Sequence, residues 1–163
     1  MKKIFILSSF LIVSCSSFKN ISKVPQIDKT EKIAVLPFVN NSETPLSGLK
    51  AKNMVENELY YKKFNLSTFE EMKGSDSFSE KDVYEAIISL KNKVRYVFYG
   101  YVNEWRYKAG VDAEPAVSIT INLYDIKNEK VIWSASGSKN MSSYNSTGLT
   151  AQKLIKKLMS PIR

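Results

Sequence analysis

The sequence contains no histidine, a single cysteine and no apolar run long enough to cross a bilayer. Each absence removes a class of explanation. Without histidine, the commonest general base near neutral pH and the commonest metal ligand are both missing. Catalysis starts at a disadvantage, and no metal or other cofactor is expected. With Cys15 alone, neither an internal disulfide nor a thiolate metal cluster can form. The longest apolar run, Ile4 to Val13, is broken at Ser8 and Ser9 and falls short of the about 20 residues a spanning helix needs. What remains is a chain of 163 residues, 44% hydrophobic, which suits one domain with a real core.

The apolar run follows Lys2 and Lys3, the layout of a secretory signal. Ile12-Val13-Ser14-Cys15 also matches the bacterial lipobox, in which a small residue precedes a cysteine whose thiolate receives diacylglycerol. Residues 1–14 therefore read as the signal and Cys15 as the lipidation site and first mature residue. Ser16 stands where Asp would hold a lipoprotein at the inner membrane, so the outer membrane is expected. Several acyl chains, at about 0.8 kcal/mol per buried methylene, make such anchoring stable. Losing Lys2 and Lys3 takes the formal charge from +8, with 24 basic residues, to +6, with 22 against 16 acidic. A basic excess suits nucleic acid or an anionic lipid surface, and export sets nucleic acid aside.

Residues 15–30 read as the lipidated cysteine and a flexible tether, polar and carrying Pro25, and residues 31–163 as a single periplasmic domain. Within it, Lys32 to Phe38 reads as a buried strand, Leu49 to Tyr61 as a helix capped by Ser47, and Phe64 to Glu70 as a second strand. Glu80 to Lys91 reads as a helix whose Ser79 and Asp82 approximate a capping box. Three strands follow, Tyr96 to Tyr107, Val117 to Tyr124 and Lys130 to about Ser138. The middle one points Val117, Ile119, Ile121 and Leu123 to one face. A last amphipathic helix sets Ala151, Leu154, Ile155, Leu158 and Met159 against Lys153, Lys156 and Lys157. The order βαβαβββα predicts an α+β fold, a mixed sheet with helices on one face.

Strict alternation along Tyr96 to Lys108 puts Tyr99, Tyr101, Trp105 and Tyr107 on one face and Glu104, Arg106 and Lys108 on the other. Glu104 and Arg106 read as an ion pair or a subunit contact, and the aromatic face as either core or a stripe offered to a partner. Asp112 and Glu114 fall in the hairpin connection, between Gly110 and Pro115. A glycosidase pair of Glu104 with Asp112 or Glu114 needs a fixed separation that adjacency across a turn does not establish. Ser134 and Ser136 in "WSASG" lack the flanking glycines of a nucleophile elbow.

"IAVLPFVNNSETPLSG", "GYVNEWRYKAGVDAEPAVSITINLYD" and "VIWSASG", followed by a terminal amphipathic helix, resemble the PelC family, outer-membrane lipoproteins of the Pel exopolysaccharide export machinery. The likeness covers most of Ile33 to Leu158. A weaker one, through the "AVLPF" strand and the fold, exists to lipoproteins of the curli-secretion and penicillin-binding-protein-activator type. The latter keeps a second function open, a regulatory lipoprotein docked on a cell-wall synthase.

The PelC resemblance implies a homo-oligomeric ring, a dodecamer in the family, lipid-anchored beneath the outer membrane. Its implied partner is a PelB-like porin with a periplasmic repeat scaffold. The implied task is guidance of a cationic amino-sugar polymer by an electronegative funnel, without catalysis. Two departures stand out. The chain is net basic, so a funnel requires segregated carboxylates such as Asp112 and Glu114, or Glu70, Glu71, Asp76, Glu80 and Asp82. Where a membrane-touching tryptophan is expected, after "WSASG", Tyr144 is the candidate.

Overall fold

Pro115–Asp125 alternates more regularly than any other stretch, and it lies inside the sheet, paired on both sides. The structure is a computed structural model and describes residues 17–67, 69, 78–107 and 114–163. Its strands are β1 (Ser17–Ile21), β2 (Lys32–Val35), β3 (Val39–Asn40), β4 (Asn65–Leu66), β5 (Tyr96–Tyr107), β6 (Pro115–Asp125) and β7 (Lys130–Asn140). The helices are α1 (Ser47–Tyr61), α2 (Glu80–Ser89) and α3 (Thr147–Met159). They build one mixed sheet in the order β1-β7-β6-β5-β2-β4, with β3 continuing alongside β5 beyond β2. The expected α+β class, with one mixed sheet, is the observed one.

The β5, β6 and β7 meander is antiparallel throughout. Val117, Ile119, Ile121 and Leu123 of β6 are fully buried and meet the apolar stripe of α3, Leu154, Ile155, Leu158 and Met159. Each such side chain contributes roughly 1.5–3 kcal/mol by leaving water. The Ser146 hydroxyl caps α3 by accepting from the Leu149 amide at 3.1 Å, and Lys153, Lys156 and Lys157 stay on the wet side. The capping box at α2 forms as the sequence implies. The Asp82 amide donates to Ser79 Oγ at 3.4 Å, and the Ser79 amide donates to Asp82 Oδ2 at 2.7 Å. Hydrogen bonds from the Ser79 hydroxyl and amide hold the Asp82 carboxyl below its ordinary range.

The helices do not share one face. α1 and α3 pack with Ile33, Val35 and Phe98, whereas Val83, Ala86 and Leu90 at α2 pack with Ala34, Leu36 and Val97 on the opposite side. Chain direction explains the correction. β2, β4 and β5 are mutually parallel, but the crossover through α1 runs outward to β4 and the one through α2 runs back past β2 to β5. Right-handed crossovers in opposite directions put their helices on opposite faces.

Residues 17–30 are not a flexible tether. Ser17–Ile21 pairs antiparallel with β7, Ser17 opposite Lys139 and Ile21 opposite Ala135, and Ile27 is buried. The added strand covers the edge that β7 would otherwise present, and backbone pairing there demands little of the sequence. The strand expected over Lys32 to Phe38 breaks at Pro37, which has no amide to donate, and resumes as β3. Of the strand expected from Phe64 to Glu70, the described residues form β4 at Asn65–Leu66. α1 begins at Ser47 itself, with Leu46 at φ 60° as its cap residue, because the Ser47 hydroxyl is committed to Asn40 Oδ1 at 2.5 Å.

Candidate functional site

Simple alternation along β5 fails at one residue. Val102 pairs with Ile119 and Glu104 with Ser118, so Asn103 is a β-bulge with no partner of its own. Beyond it the faces exchange. Trp105 points into the core with Phe98, Val102 and Val117 and is only 3% exposed. It packs internally, the core alternative of the two readings open for the aromatic face. Tyr99 and Tyr101 remain on the α2 face, edge to face with ring centroids 6.3 Å apart. Burial raises the pKa of both hydroxyls, with Glu80 adding to the effect at Tyr101.

The same bulge carries Glu104 and Arg106 to the surface. Arg106 Nε donates to Glu104 Oε1 at 2.9 Å, an ion pair along one strand with the arginine exposed. They line a cleft of about 420 Å3 with Asn103, Ser118, Asn41, Ser42 and Glu43. The wall carrying Glu43 is organised by Asn40. Its Oδ1 accepts from the Ser42 amide at 3.0 Å, the Ser42 hydroxyl at 2.7 Å and the Ser47 hydroxyl at 2.5 Å, and its Nδ2 donates to the Thr44 carbonyl at 2.9 Å. The loop is stitched to β5 at two further points, where the Asn41 amide donates to the Val102 carbonyl at 2.9 Å and the Thr44 hydroxyl to the Trp105 carbonyl. A loop so held presents Glu43 at a defined place in the same cleft as Glu104.

Of the residues the sequence singles out, Glu104 and Arg106 meet, and Glu114 lies half-buried immediately before β6. Asp112, Lys108, Cys15, Glu70, Glu71 and Asp76 lie outside the described residues. Glu80 and Asp82 fall in the first turn of α2, where Asp82 serves the cap. Tyr144 is 97% exposed, in a loop tied to the end of β5 by the Tyr107 hydroxyl donating to the Asn145 carbonyl. Glu43 gives no signal in the sequence, because it is 61 positions from Glu104 and its loop is merely polar; the Asn40 network brings it in.

With two carboxylates, one guanidinium and several amide and hydroxyl groups, the cleft can attract ammonium groups and hydrogen-bond hydroxyls. Among the described residues, no three His, Cys, Asp or Glu side chains group to hold a metal ion.

No protein-family model matches the chain, and no curated protein matches it by sequence. Solved structures do match. The PelC dodecamer from Paraburkholderia phytofirmans is 30% identical, with a TM-score of 0.74 over 90% of this chain and 96% of that one. A dodecamer of a single-substitution variant, in another crystal form, is 31% identical with a TM-score of 0.77, over 90% and 97%. Lipoprotein GNA1162 from Neisseria meningitidis shares the fold at 21% identity, TM-score 0.60, over 81% of this chain and 97% of that one. So does the LpoB C-terminal domain from Salmonella enterica, at 20% and 0.50, over 66% and 81%. Identity of this level, sustained over nearly the whole of the first two relatives, establishes that the chain belongs to the PelC family.

Proposed function

We propose that the protein is a lipid-anchored, ring-forming subunit of polysaccharide export at the outer membrane, guiding a cationic amino-sugar polymer towards a PelB-like porin without catalysing a reaction. The observation that carries this reading is the end-to-end similarity to PelC chains solved as dodecamers. The other candidate role, regulation of a cell-wall synthase, has support only at the level of fold.

The strand register supports a definite orientation. Ser17, Lys139, Val117 and Trp105 lie abreast across four strands, and Ser17 is two residues from Cys15. A diacylglycerol on Cys15 then leaves one residue of slack, so this end of the sheet, bearing Tyr144, faces the lipid. Residues 1–14 are the signal to be removed, and the domain begins at β1 without a tether.

Rings of identical subunits require a heterologous contact that closes on itself. Native mass spectrometry of the full chain in neutral detergent is expected to give one closed assembly of many copies. A strictly monomeric chain at high concentration would defeat the reading. Polymer guidance is a separate matter, because exposed charges act weakly and are screened by salt. Glu43→Gln with Glu104→Gln, and Asp112→Asn with Glu114→Gln, are each expected to weaken binding to chitosan roughly three- to tenfold at low salt. The difference should shrink at high salt. Either pair leaving binding unchanged is thereby removed from the polymer surface.

A further inference from the structure

At the opposite end of the sheet, where β2 and β5 begin and β6 turns into β7, a cleft of about 820 Å3 opens. Lys32, Lys91, Lys93, Arg95 and Lys127 line it. Two of these are engaged internally. Arg95 Nη2 donates to Asp125 Oδ2 at 2.8 Å, and Lys91 Nζ to Glu129 Oε1 at 2.9 Å. The nearby Asp28 carboxylate is turned onto the amide and hydroxyl of Thr30. Lys32, Lys93 and Lys127 are exposed, and their ammonium groups have no hydrogen-bond or ion-pair partner among the described residues.

Three lysines without a direct ion pair, set against the carboxylates of Asp28 and Glu31, leave the concave wall net positive and call for an anionic ligand. The lining is mostly polar, with Val94, Tyr96 and Ile126 its apolar residues, unlike the mainly apolar pockets that enclose small molecules. A solvated, charged chain suits it better. Carboxylates interleave with the lysines, Asp28, Glu31 and Glu129 among them. They oppose a polymer that offers charge alone, whereas a polypeptide also brings amide N–H groups that the exposed Glu31 carboxylate can accept. Position then sets the source. From the level of Trp105, abreast of Ser17, to Tyr96 the strand advances about 27 Å at about 3.4 Å per residue, allowing for the bulge. That is more than three Debye lengths of about 8 Å at physiological salt, so lipid charge at the anchored end is screened before it reaches the cleft.

We propose that this cleft docks a carboxylate-rich polypeptide segment of a partner lying on the side of the domain remote from the membrane. The orientation rests on the anchoring of Cys15 proposed above, whereas the ligand class does not.

The test uses the full chain in neutral detergent and a fluorescein-labelled oligoglutamate peptide, read by anisotropy. Replacing Lys32, Lys93 and Lys127 with serine is expected to weaken binding at least about tenfold. Replacing Lys23, Lys153 and Lys156 with serine removes the same charge elsewhere and is expected to change it less than about twofold. Equal losses in the two variants would reduce the effect to net charge and overturn the proposal. It would also be overturned if oligogalacturonate, inorganic phosphate or phosphatidylglycerol vesicles bound as tightly through the same three lysines. The intact mass of the purified chain reports acylation independently. A chain that binds the peptide but carries no lipid would keep the docking cleft and remove only its orientation.

Discussion

Gly100→Val is expected to leave little folded protein, with a loss of more than about 3 kcal/mol in a variant that folds at all. Gly100 sits in the middle of β5, opposite Ile121. A Cβ there would run into the Thr120 carbonyl oxygen and into the Phe38 ring, whose Cδ2 would lie at 2.7 Å. Neither obstacle can retreat easily. Thr120 belongs to β6, which is paired on both sides, and Phe38 is fully buried. A second glycine meets the same phenylalanine from its other end, since a Cβ at Gly48 would strike the Phe38 carbonyl oxygen. The two glycines are required for closeness of approach. Set against a typical domain stability of about 5–15 kcal/mol, the loss should be plain in urea unfolding. An unchanged midpoint would mean that the Phe38 ring can leave its site without cost.

Cys15→Ser, made in a chain whose residues 1–14 are replaced by a signal cut independently of lipidation, is expected to move the protein from carbonate-washed membranes to the soluble fraction and to remove the mass of the acyl modification. Among the described residues no helix is long and apolar enough to cross a membrane, and exposed side chains such as Tyr144 offer far less apolar surface for insertion than acyl chains do. Attachment should therefore depend on the cysteine. Because β1 starts at Ser17, losing the lipid should also release the end of the domain that the anchor holds against the surface. A wild-type chain of unmodified mass, or a Cys15→Ser chain that stays with the membranes, would sink the lipid-anchor reading.

The parts of the structure that could be read in advance are those whose causes are local. The Ser79 and Asp82 box, the stripe of α3 and the alternation of β6 each depend on residues a few positions apart, and each forms as read. The site was only half legible. Glu104 and Arg106 are visible as a pair two residues apart, but a period of two continued through Asn103 assigns Trp105 to the wrong face. An extra residue in a ladder leaves no mark on one strand alone, because it is defined by the count on its partner.

The same distinction separates what the amino acids state outright from what folding adds. Composition and order are enough for the missing histidine, the lipobox at Cys15, the α+β succession of elements and the net positive charge, since these are properties of the chain wherever it lies. Three further features exist only once distant segments meet: α2 on the opposite face, β1 on the edge of β7, and Glu43 in the same cleft as the Glu104 and Arg106 pair. So does the separation of the lysine cleft from the acidic one. Crossover handedness, edge pairing and charge placement are relations between parts of the chain far apart in sequence, and no local pattern encodes them.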